Sequence, residues 1–97
     1  MMLVVVSYDV STVTPEGTRR LRRVARVCED YGQRVQSSVF ECWLDSTTLL
    51  LLRERLLKLL EPGEDSLRIY SLGEHWKGRV EHHGAKSVLD PEGPLIL

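Results

Sequence analysis

The fold of this chain of 97 residues is decided near its start by the run Leu3-Val4-Val5-Val6-Ser7-Tyr8. The run is short, rich in β-branched residues and apolar at almost every position, and it ends at the charge of Asp9. A nearly continuous apolar run is typical of a strand buried on both faces, because an exposed face would carry polar side chains at alternate positions. The sequence therefore predicts a central strand here, followed by a change of structure at Asp9.

A helix is predicted soon after this strand. Thr14-Pro15-Glu16 offers a capping hydroxyl, a proline suited to the first helical position and an acid in the first turn. We expect the helix to end at Tyr31-Gly32, with Gly32 in the left-handed conformation that glycine adopts readily. Its apolar stripe and its basic stripe lie on opposite sides. The apolar stripe consists of Leu21, Val24, Ala25 and Cys28, and the basic stripe consists of Arg19, Arg22, Arg23 and Arg26.

The middle of the chain predicts two strands and a second helix. Residues 34–44 alternate roughly between polar and apolar side chains, and Ser37-Ser38 favours a bend that divides them into two strands. Asp45-Ser46-Thr47 offers caps for a helix that continues to Leu60. Its apolar arc is too wide for one buried stripe, which indicates that some of the surplus contacts a partner. The surplus residues are Leu50, Leu51 and Leu57.

A further strand over residues 66–72 completes the order βαββαβ, after a turn at residues 61–64. This order predicts a ferredoxin-like α/β (α+β) fold in which both helices cover one face of an antiparallel sheet. We expect a single domain over residues 1–97, with its core in residues 2–72 and a C-terminal tail in residues 73–97. The apolar end Leu95-Ile96-Leu97 predicts an additional edge strand, in this subunit or in a partner.

Chain length favours a homodimer. A chain this short buries only about 60 to 65% of its unfolded surface, so apolar surface that remains is more stable against a second copy. The second face of the predicted sheet has no helix to cover it. We therefore expect the sheet of an identical subunit to cover that face.

Composition places the chain among ordinary globular proteins, with 42% hydrophobic and 28% charged residues. No run approaches the roughly 20 apolar residues that cross a bilayer, and the N-terminal run lacks the features of a signal peptide. Cys28 and Cys42 match no zinc motif, so we predict that both lie in the core. We expect a cytoplasmic protein without a membrane partner.

Asp9 is the first candidate functional residue. By alternation it shares a face with Leu3, Val5 and Ser7, so two copies of Asp9 approach each other if that face meets its symmetry mate. A divalent cation or a shared proton would relieve their repulsion, and Mg²⁺ accepts one or two carboxylates together with waters and substrate phosphates. The alternative is that Asp9 starts the turn through Val10-Ser11-Thr12 by accepting backbone hydrogen bonds.

The basic stripe is the second candidate. The net charge is only −1, with a pI near 6.3, but five arginines lie between Arg19 and Arg26. Such a cluster on one helix face predicts contact with the phosphates of a nucleic acid, and the alternative is a solvated helix face. The sequence has neither a nucleophile elbow nor a glycine-rich phosphate loop, which argues against a hydrolase with a protein nucleophile.

Three segments of the chain resemble the CRISPR-associated protein 2 family, the small universal subunit of CRISPR adaptation. The resemblance extends from about Met2 to Leu72 and is loose beyond Gly73. The matching segments are Tyr8-Asp9, Tyr31-Gly32-Gln33-Arg34-Val35-Gln36-Ser37-Ser38-Val39-Phe40-Glu41 and Asp65-Ser66-Leu67-Arg68-Ile69-Tyr70.

The resemblance implies a ferredoxin-like homodimer with Asp9 at the interface, associated with Mg²⁺. Members of the family are described as metal-dependent endonucleases that act on single-stranded RNA or double-stranded DNA. They also bridge dimers of the CRISPR integrase and hold the protospacer duplex during spacer acquisition. Tyr8, Arg34 and Phe40 match other motif residues of the family, which makes them candidate catalytic residues beside Asp9, and the arginines after Gly17 match its basic helix.

Three functions follow from these residues and this resemblance. The first is a metal-dependent endoribonuclease or endonuclease in which Asp9 and its mate hold Mg²⁺. The second is a non-catalytic adaptor that clamps duplex DNA through its arginines and docks the integrase, and we favour it as the cellular role. The third is a toxin-like mRNA ribonuclease of related fold that acts without the integrase.

Overall fold

The structure is a computed structural model and describes residues 1–85. The elements of this part of the chain follow the order βαββαβ, as predicted. The strands are β1 (Met2–Asp9), β2 (Gln33–Gln36), β3 (Val39–Leu44) and β4 (Ser66–Gly73). The helices are α1 (Pro15–Tyr31) and α2 (Ser46–Leu59), and a short 3₁₀ turn spans Lys77–Arg79.

The strands form one sheet in the order β2-β3-β1-β4, and every neighbouring pair is antiparallel. The central position predicted for β1 is confirmed, because β1 pairs with β3 on one side and β4 on the other. This arrangement is the predicted ferredoxin-like fold. The additional strand predicted at Leu95-Ile96-Leu97 lies outside the described residues.

Both helices pack on the same face of the sheet, as expected. Val4, Val6 and Tyr8 of β1 are buried there, next to the alternate residues of β3. The helices contribute apolar residues at spacings of three and four, which places them on one side of each helix. The buried core of this face also contains Phe40, Cys42, Leu44, Val24, Val27, Cys28, Leu49, Leu52 and Leu56.

The two cysteines are free and buried in this core, as predicted. Burial raises the pKa of Cys28 to about 12 and that of Cys42 to about 11. Both groups therefore remain thiols at neutral pH and act as small apolar side chains.

On the other side of the sheet, which we call the open face, no α-helix of residues 1–85 packs. Three rows of register partners cross this face. Val5 lies between Glu41 and Tyr70, Ser7 lies between Val39 and Arg68, and Asp9 pairs with Ser66. Trp76 lies edge-on to Trp43 at one end of this face, with ring centroids 5.8 Å apart. The open face elsewhere is half-buried or exposed, and the Tyr70 side chain is 44% exposed.

The helix starts agree with the predicted caps. The Thr14 hydroxyl accepts a hydrogen bond from the Gly17 N–H (3.1 Å), and the Asp45 carboxylate accepts one from the Thr48 N–H (2.7 Å). Along α2 the leucines Leu50, Leu51 and Leu57 lie off the buried side and are more than half exposed. Neither helix of the described part is long and apolar enough to cross a membrane.

The predicted left-handed conformation of Gly32 is wrong. Gly32 has φ −165° and ψ −161°, which is extended backbone open to any residue, and its N–H closes the helix on the Cys28 carbonyl at 2.9 Å. A glycine is needed here for a different reason. A Cβ on Gly32 would collide with the backbone at Glu41 and with the Cys42 side chain. The close approach of α1 to β3, and not a turn, therefore requires this glycine.

A buried ion pair ties the two halves of the fold together. The Asp65 side chain is fully buried and accepts hydrogen bonds from Arg20 Nε (2.7 Å) and Nη2 (3.1 Å). It also accepts the backbone N–H groups of Ser11 (3.0 Å) and Glu61 (2.9 Å). We call this group the Asp65 clamp, because it joins α1, the loop after β1 and the turn before β4. The hydrogen bonds from Arg20 are the main cause that lowers the pKa of Asp65 to about 2.

Replacing Gly17 with alanine should destabilise the protein by about 1 to 3 kcal/mol, the usual cost of overpacking. Alanine favours a helix over glycine by about 1 kcal/mol, but its Cβ would collide with the Ser11 backbone carbonyl. Urea denaturation measures the change in the free energy of unfolding. Gly63→Ala is the control, because a Cβ at Gly63 meets nothing within 4 Å. Equal stability of Gly17→Ala and wild type would contradict the close packing of this turn.

Asp65→Asn should lower the free energy of unfolding at pH 7 by about 2 to 3 kcal/mol, since hydrogen bonds to a charged group are lost. The pKa of Asp65 is lower in the folded chain than the roughly 3.9 of an unfolded one, so its contribution is complete above about pH 5. That contribution disappears as the pH falls through about 2. Urea melts from pH 7 to pH 2 should therefore show a flatter pH dependence for Asp65→Asn than for wild type, with Glu54→Gln as an exposed control. A parallel pH dependence for Asp65→Asn and wild type would rule out the clamp as its source.

Candidate nucleic-acid interface

Asp9 ends β1 at the edge of the open face, opposite Ser66 of β4, and its side chain is exposed. Within residues 1–85 it makes no hydrogen bond or ion pair. The N–H of Ser11, which an aspartate turn would use, donates to Asp65 instead. The turn interpretation of Asp9 therefore does not describe its side chain, and this carboxylate is available for a ligand.

One chain does not supply a complete metal site at Asp9. Within the described residues, no group of three histidine, cysteine, aspartate or glutamate side chains is placed to hold a metal ion. A single exposed carboxylate suits Mg²⁺ only when waters, phosphates or a second carboxylate complete the coordination. The donor at Asp9 is therefore of the right chemical type, and the remaining ligands must come from outside this chain's described residues.

The candidate residues Tyr8, Phe40 and Arg34 form one stack on the helix side of the sheet. The Tyr8 and Phe40 rings are nearly parallel, with centroids 6.2 Å apart, and the Arg34 guanidinium lies 5.1 Å above the Phe40 ring. Arg34 also donates to the Ser37 carbonyl (2.7 Å) and pairs with Glu29 (3.4 Å). The structure thus brings together three of the four residues proposed for catalysis.

Asp9 is the residue that this stack does not include. Tyr8 and Asp9 are neighbours on a strand, so their side chains point to opposite faces of the sheet. Tyr8 is 5% exposed, and its buried hydroxyl has no hydrogen-bond partner among the described residues. Burial also raises the pKa of Tyr8, so the hydroxyl keeps its proton. The stack of Tyr8, Phe40 and Arg34 therefore lies on the helix side of the sheet, whereas the Asp9 carboxylate lies on the open face.

The basic stripe lies on the exposed side of α1, as predicted. Arg19 is 3.9 Å from Glu16, whereas Arg22, Arg23 and Arg26 form no ion pair within residues 1–85. The acids that follow on the helix are used elsewhere, because Glu29 pairs with Arg34 and Asp30 pairs with Arg55. The outer surface of α1 therefore presents unneutralised guanidinium groups on a protein whose net charge is −1.

The structure gives two further arginines, Arg20 and Arg68, positions that the sequence did not predict. Arg20 belongs to the Asp65 clamp and is mostly buried, which separates it from the exposed arginines of the same helix. Arg68 lies on the open face, with its guanidinium 5.4 Å from the centre of the Tyr70 ring. Strand alternation from Ser66 could have placed Arg68 on the face of Asp9, but no pattern in the sequence predicts the partner of Arg20.

Known proteins of the same length and fold resemble this chain closely. A family model described as CRISPR associated protein Cas2 matches residues 2–80. The CRISPR-associated endoribonuclease Cas2 of Chlorobaculum tepidum is 59% identical over 96 residues, which are 99% of this chain and 100% of the relative. The CRISPR-associated endonuclease Cas2 of Halalkalibacterium halodurans is 56% identical over 96 residues, with the same two shares.

A solved structure with a Cas2 name is also similar to this chain. The crystal structure of Streptococcus pyogenes Cas2 at pH 6.5 superimposes with a TM-score of 0.75 and 49% identity, covering 86% of this chain and all of that one. The resemblance inferred from the three sequence segments is confirmed by the family model and by these proteins, and this chain belongs to the CRISPR associated protein Cas2 family.

Proposed function

We propose that the protein is a nucleic-acid-binding homodimer of CRISPR adaptation that bridges the CRISPR integrase, and that its paired Asp9 residues support Mg²⁺-dependent cleavage of phosphodiester bonds. The observation that carries the proposal is the exposed Asp9 carboxylate at the edge of the open face, which has no partner among residues 1–85. A carboxylate that ends a central strand and is held by no hydrogen bond or ion pair of residues 1–85 is available for a ligand.

The open face supports the dimer. Val5, Val39 and Tyr70 leave apolar surface on the side of the sheet that neither α-helix of the described residues covers. A second copy placed over this face by a two-fold axis would bury that surface, and residues near the axis would meet their own copies. Asp9 lies at the edge of the same face, so a two-fold axis at that end of the sheet would supply the second carboxylate that one chain lacks.

The cleavage chemistry then depends on the two carboxylates. When bound, Mg²⁺ would lower the pKa of a water molecule and offset negative charge on the phosphate. Asp9 and its copy would hold the ion, whose charge would relieve the repulsion between the two carboxylates. The relatives' names include both endoribonuclease and endonuclease, so RNA and duplex DNA are both assay substrates.

The arginines of α1 support binding of a nucleic acid independently of cleavage. Arg22, Arg23 and Arg26 are exposed and without acidic partners in the described residues, so a phosphate backbone can approach without breaking an ion pair. The adaptor role requires this surface and the dimer, but not the cation. The two roles can therefore be separated by mutation.

Asp9→Asn should lower the rate of RNA and duplex cleavage in Mg²⁺ by at least about 100-fold, because even the supporting residues of a metal site contribute 10- to 100-fold. The measurement is the cleavage rate of labelled single-stranded RNA and duplex DNA with Mg²⁺ and with chelator. Glu54→Gln, an exposed carboxylate on α2, should cut at the wild-type rate. Cutting by Asp9→Asn at the wild-type rate would remove Asp9 from the mechanism.

Replacing Arg22 and Arg26 together with glutamine should weaken duplex binding and reduce its salt dependence. Each lost phosphate contact reduces the magnitude of the slope of log K against log salt by about 0.9, so the two replacements should reduce it by about 2 for each subunit that contacts the duplex. Fluorescence anisotropy across a salt series measures both quantities. The matched control replaces Arg53 and Lys58 of α2 with glutamine, which removes the same charge from another surface.

The same variants separate the adaptor from the other functions in cells. An adaptor predicts that the Arg22 and Arg26 variant loses spacer acquisition while Asp9→Asn retains it. Duplex binding that does not change in the arginine variant would reject the α1 surface. Growth arrest on expression without the integrase, abolished by Asp9→Asn, would favour the toxin-like ribonuclease instead.

A further inference from the structure

Arg68 lies on the open face beside Asp9. Ser7 of β1 and Arg68 of β4 are register partners, and Asp9 and Ser66 form the next pair on the same face. Asp9 and Arg68 are therefore diagonal neighbours, which lie about 7 to 8 Å apart in an antiparallel pair and within reach of a long side chain. An acid and an arginine in this relation would normally be expected to form an ion pair.

They do not form one. The Arg68 guanidinium instead lies 5.4 Å from the centre of the Tyr70 ring, two residues further along β4. The Asp9 carboxylate pairs with no group in the part of the chain that the structure describes. A cation over an aromatic face gains about 0.5 to 1 kcal/mol at an exposed site, and an exposed ion pair is worth about as much. The contact with Tyr70 can therefore hold the Arg68 guanidinium along β4 and away from Asp9 on β1, so the two opposite charges stay separate.

Separate charges of this kind suit a phosphodiester. A phosphate at Asp9 is anionic and cannot bind to the carboxylate directly, so it needs a cation and a donor of hydrogen bonds beside that carboxylate. The planar guanidinium offers two parallel N–H groups to two phosphate oxygens. The arginines of α1 face away from the sheet and belong to a different surface, so Arg68 is the cation of the open face that is next to Asp9 among residues 1–85.

We propose that Arg68 binds the phosphate that is cut at Asp9 and that Tyr70 keeps Arg68 from pairing with Asp9. This inference rests on the proposed cleavage at Asp9 and adds a specific phosphate-binding residue to it. The ligand is the phosphodiester group itself, so RNA and duplex DNA should depend on Arg68 alike. The basic stripe of α1 contacts other phosphates of the same nucleic acid and does not replace Arg68.

The experiment compares Arg68→Gln, Arg68→Lys and Asp9→Asn with wild type in Mg²⁺, using labelled single-stranded RNA and duplex DNA. Arg68→Gln should lower kcat/KM at least about 10-fold on both substrates, because a charge-assisted contact to the reacting phosphate is lost. Arg68→Lys should recover part of this loss, since it keeps the charge without the paired N–H groups. Arg53→Gln on α2 is the matched control and should cut as wild type does.

A second pair of variants tests the role of Tyr70. Tyr70→Phe keeps the ring beneath Arg68, so its kcat/KM should stay above that of Tyr70→Leu, which frees Arg68 to pair with Asp9 and should lower kcat/KM. Sedimentation at the assay concentration follows dimerisation of every variant, because Arg68 lies on the face that we assign to the dimer. Arg68→Gln could instead lose the dimer and regain a normal kcat at concentrations that restore it. That result would overturn the proposal and make Arg68 an interface residue.

The outcomes also separate this inference from the proposed function. Inactive Asp9→Asn together with fully active Arg68→Gln would overturn the role of Arg68 and leave cleavage at Asp9 standing. Active Asp9→Asn would remove the proposed cleavage site and this inference with it. Binding of the uncleaved substrates in chelator provides a readout apart from activity, and Arg68→Gln should weaken it less than the Arg22 and Arg26 variant does.

Discussion

The alternation of side chains along β1 is the constraint on which the rest of the structure depends. Val4, Val6 and Tyr8 are buried beneath the helices, so their neighbours Val5, Ser7 and Asp9 must lie on the other side. A shift of one residue in register would exchange these two sets and bury the aspartate. The apolar packing of the helices therefore fixes an exposed carboxylate at the end of a central strand, where it has neighbours but no partner among residues 1–85.

This constraint divides the molecule into surfaces with different tasks. The helix side holds the core and the Tyr8, Phe40 and Arg34 stack. The outside of α1 carries the arginines that pair with no acid of the described residues. The open face carries Asp9, Arg68 and the apolar surface proposed for the second subunit. The Asp65 clamp holds the loop after β1 against α1, and thereby fixes how the basic surface lies relative to the end of the central strand.

Local patterns predicted the fold well, because the signals for its elements lie within a few residues of each other. Thr14 and Asp45 cap their helices as expected, and the Ser37-Ser38 bend divides two strands. The Asp65 clamp was not predictable, because Arg20 and Asp65 are 45 residues apart and their pairing follows only from the folded sheet. The conformation of Gly32 was predicted wrongly for a similar reason, since the strand that crowds it comes later in the chain. The Tyr8-Asp9 motif predicted that these two residues act in one site, but the alternation of the strand places their side chains on opposite faces of the sheet.

The two buried cysteines have a practical consequence for work on this protein. With pKa values of about 12 and 11, almost no thiolate exists at neutral pH, and neither sulfur is reachable from the solvent while the core is closed. Alkylating reagents should thus leave the native chain unlabelled and modify Cys28 and Cys42 only when α1 separates from the sheet. The wild-type sequence carries its own chemical reporter of core opening, so the lifetime of the closed state can be followed without introducing a label.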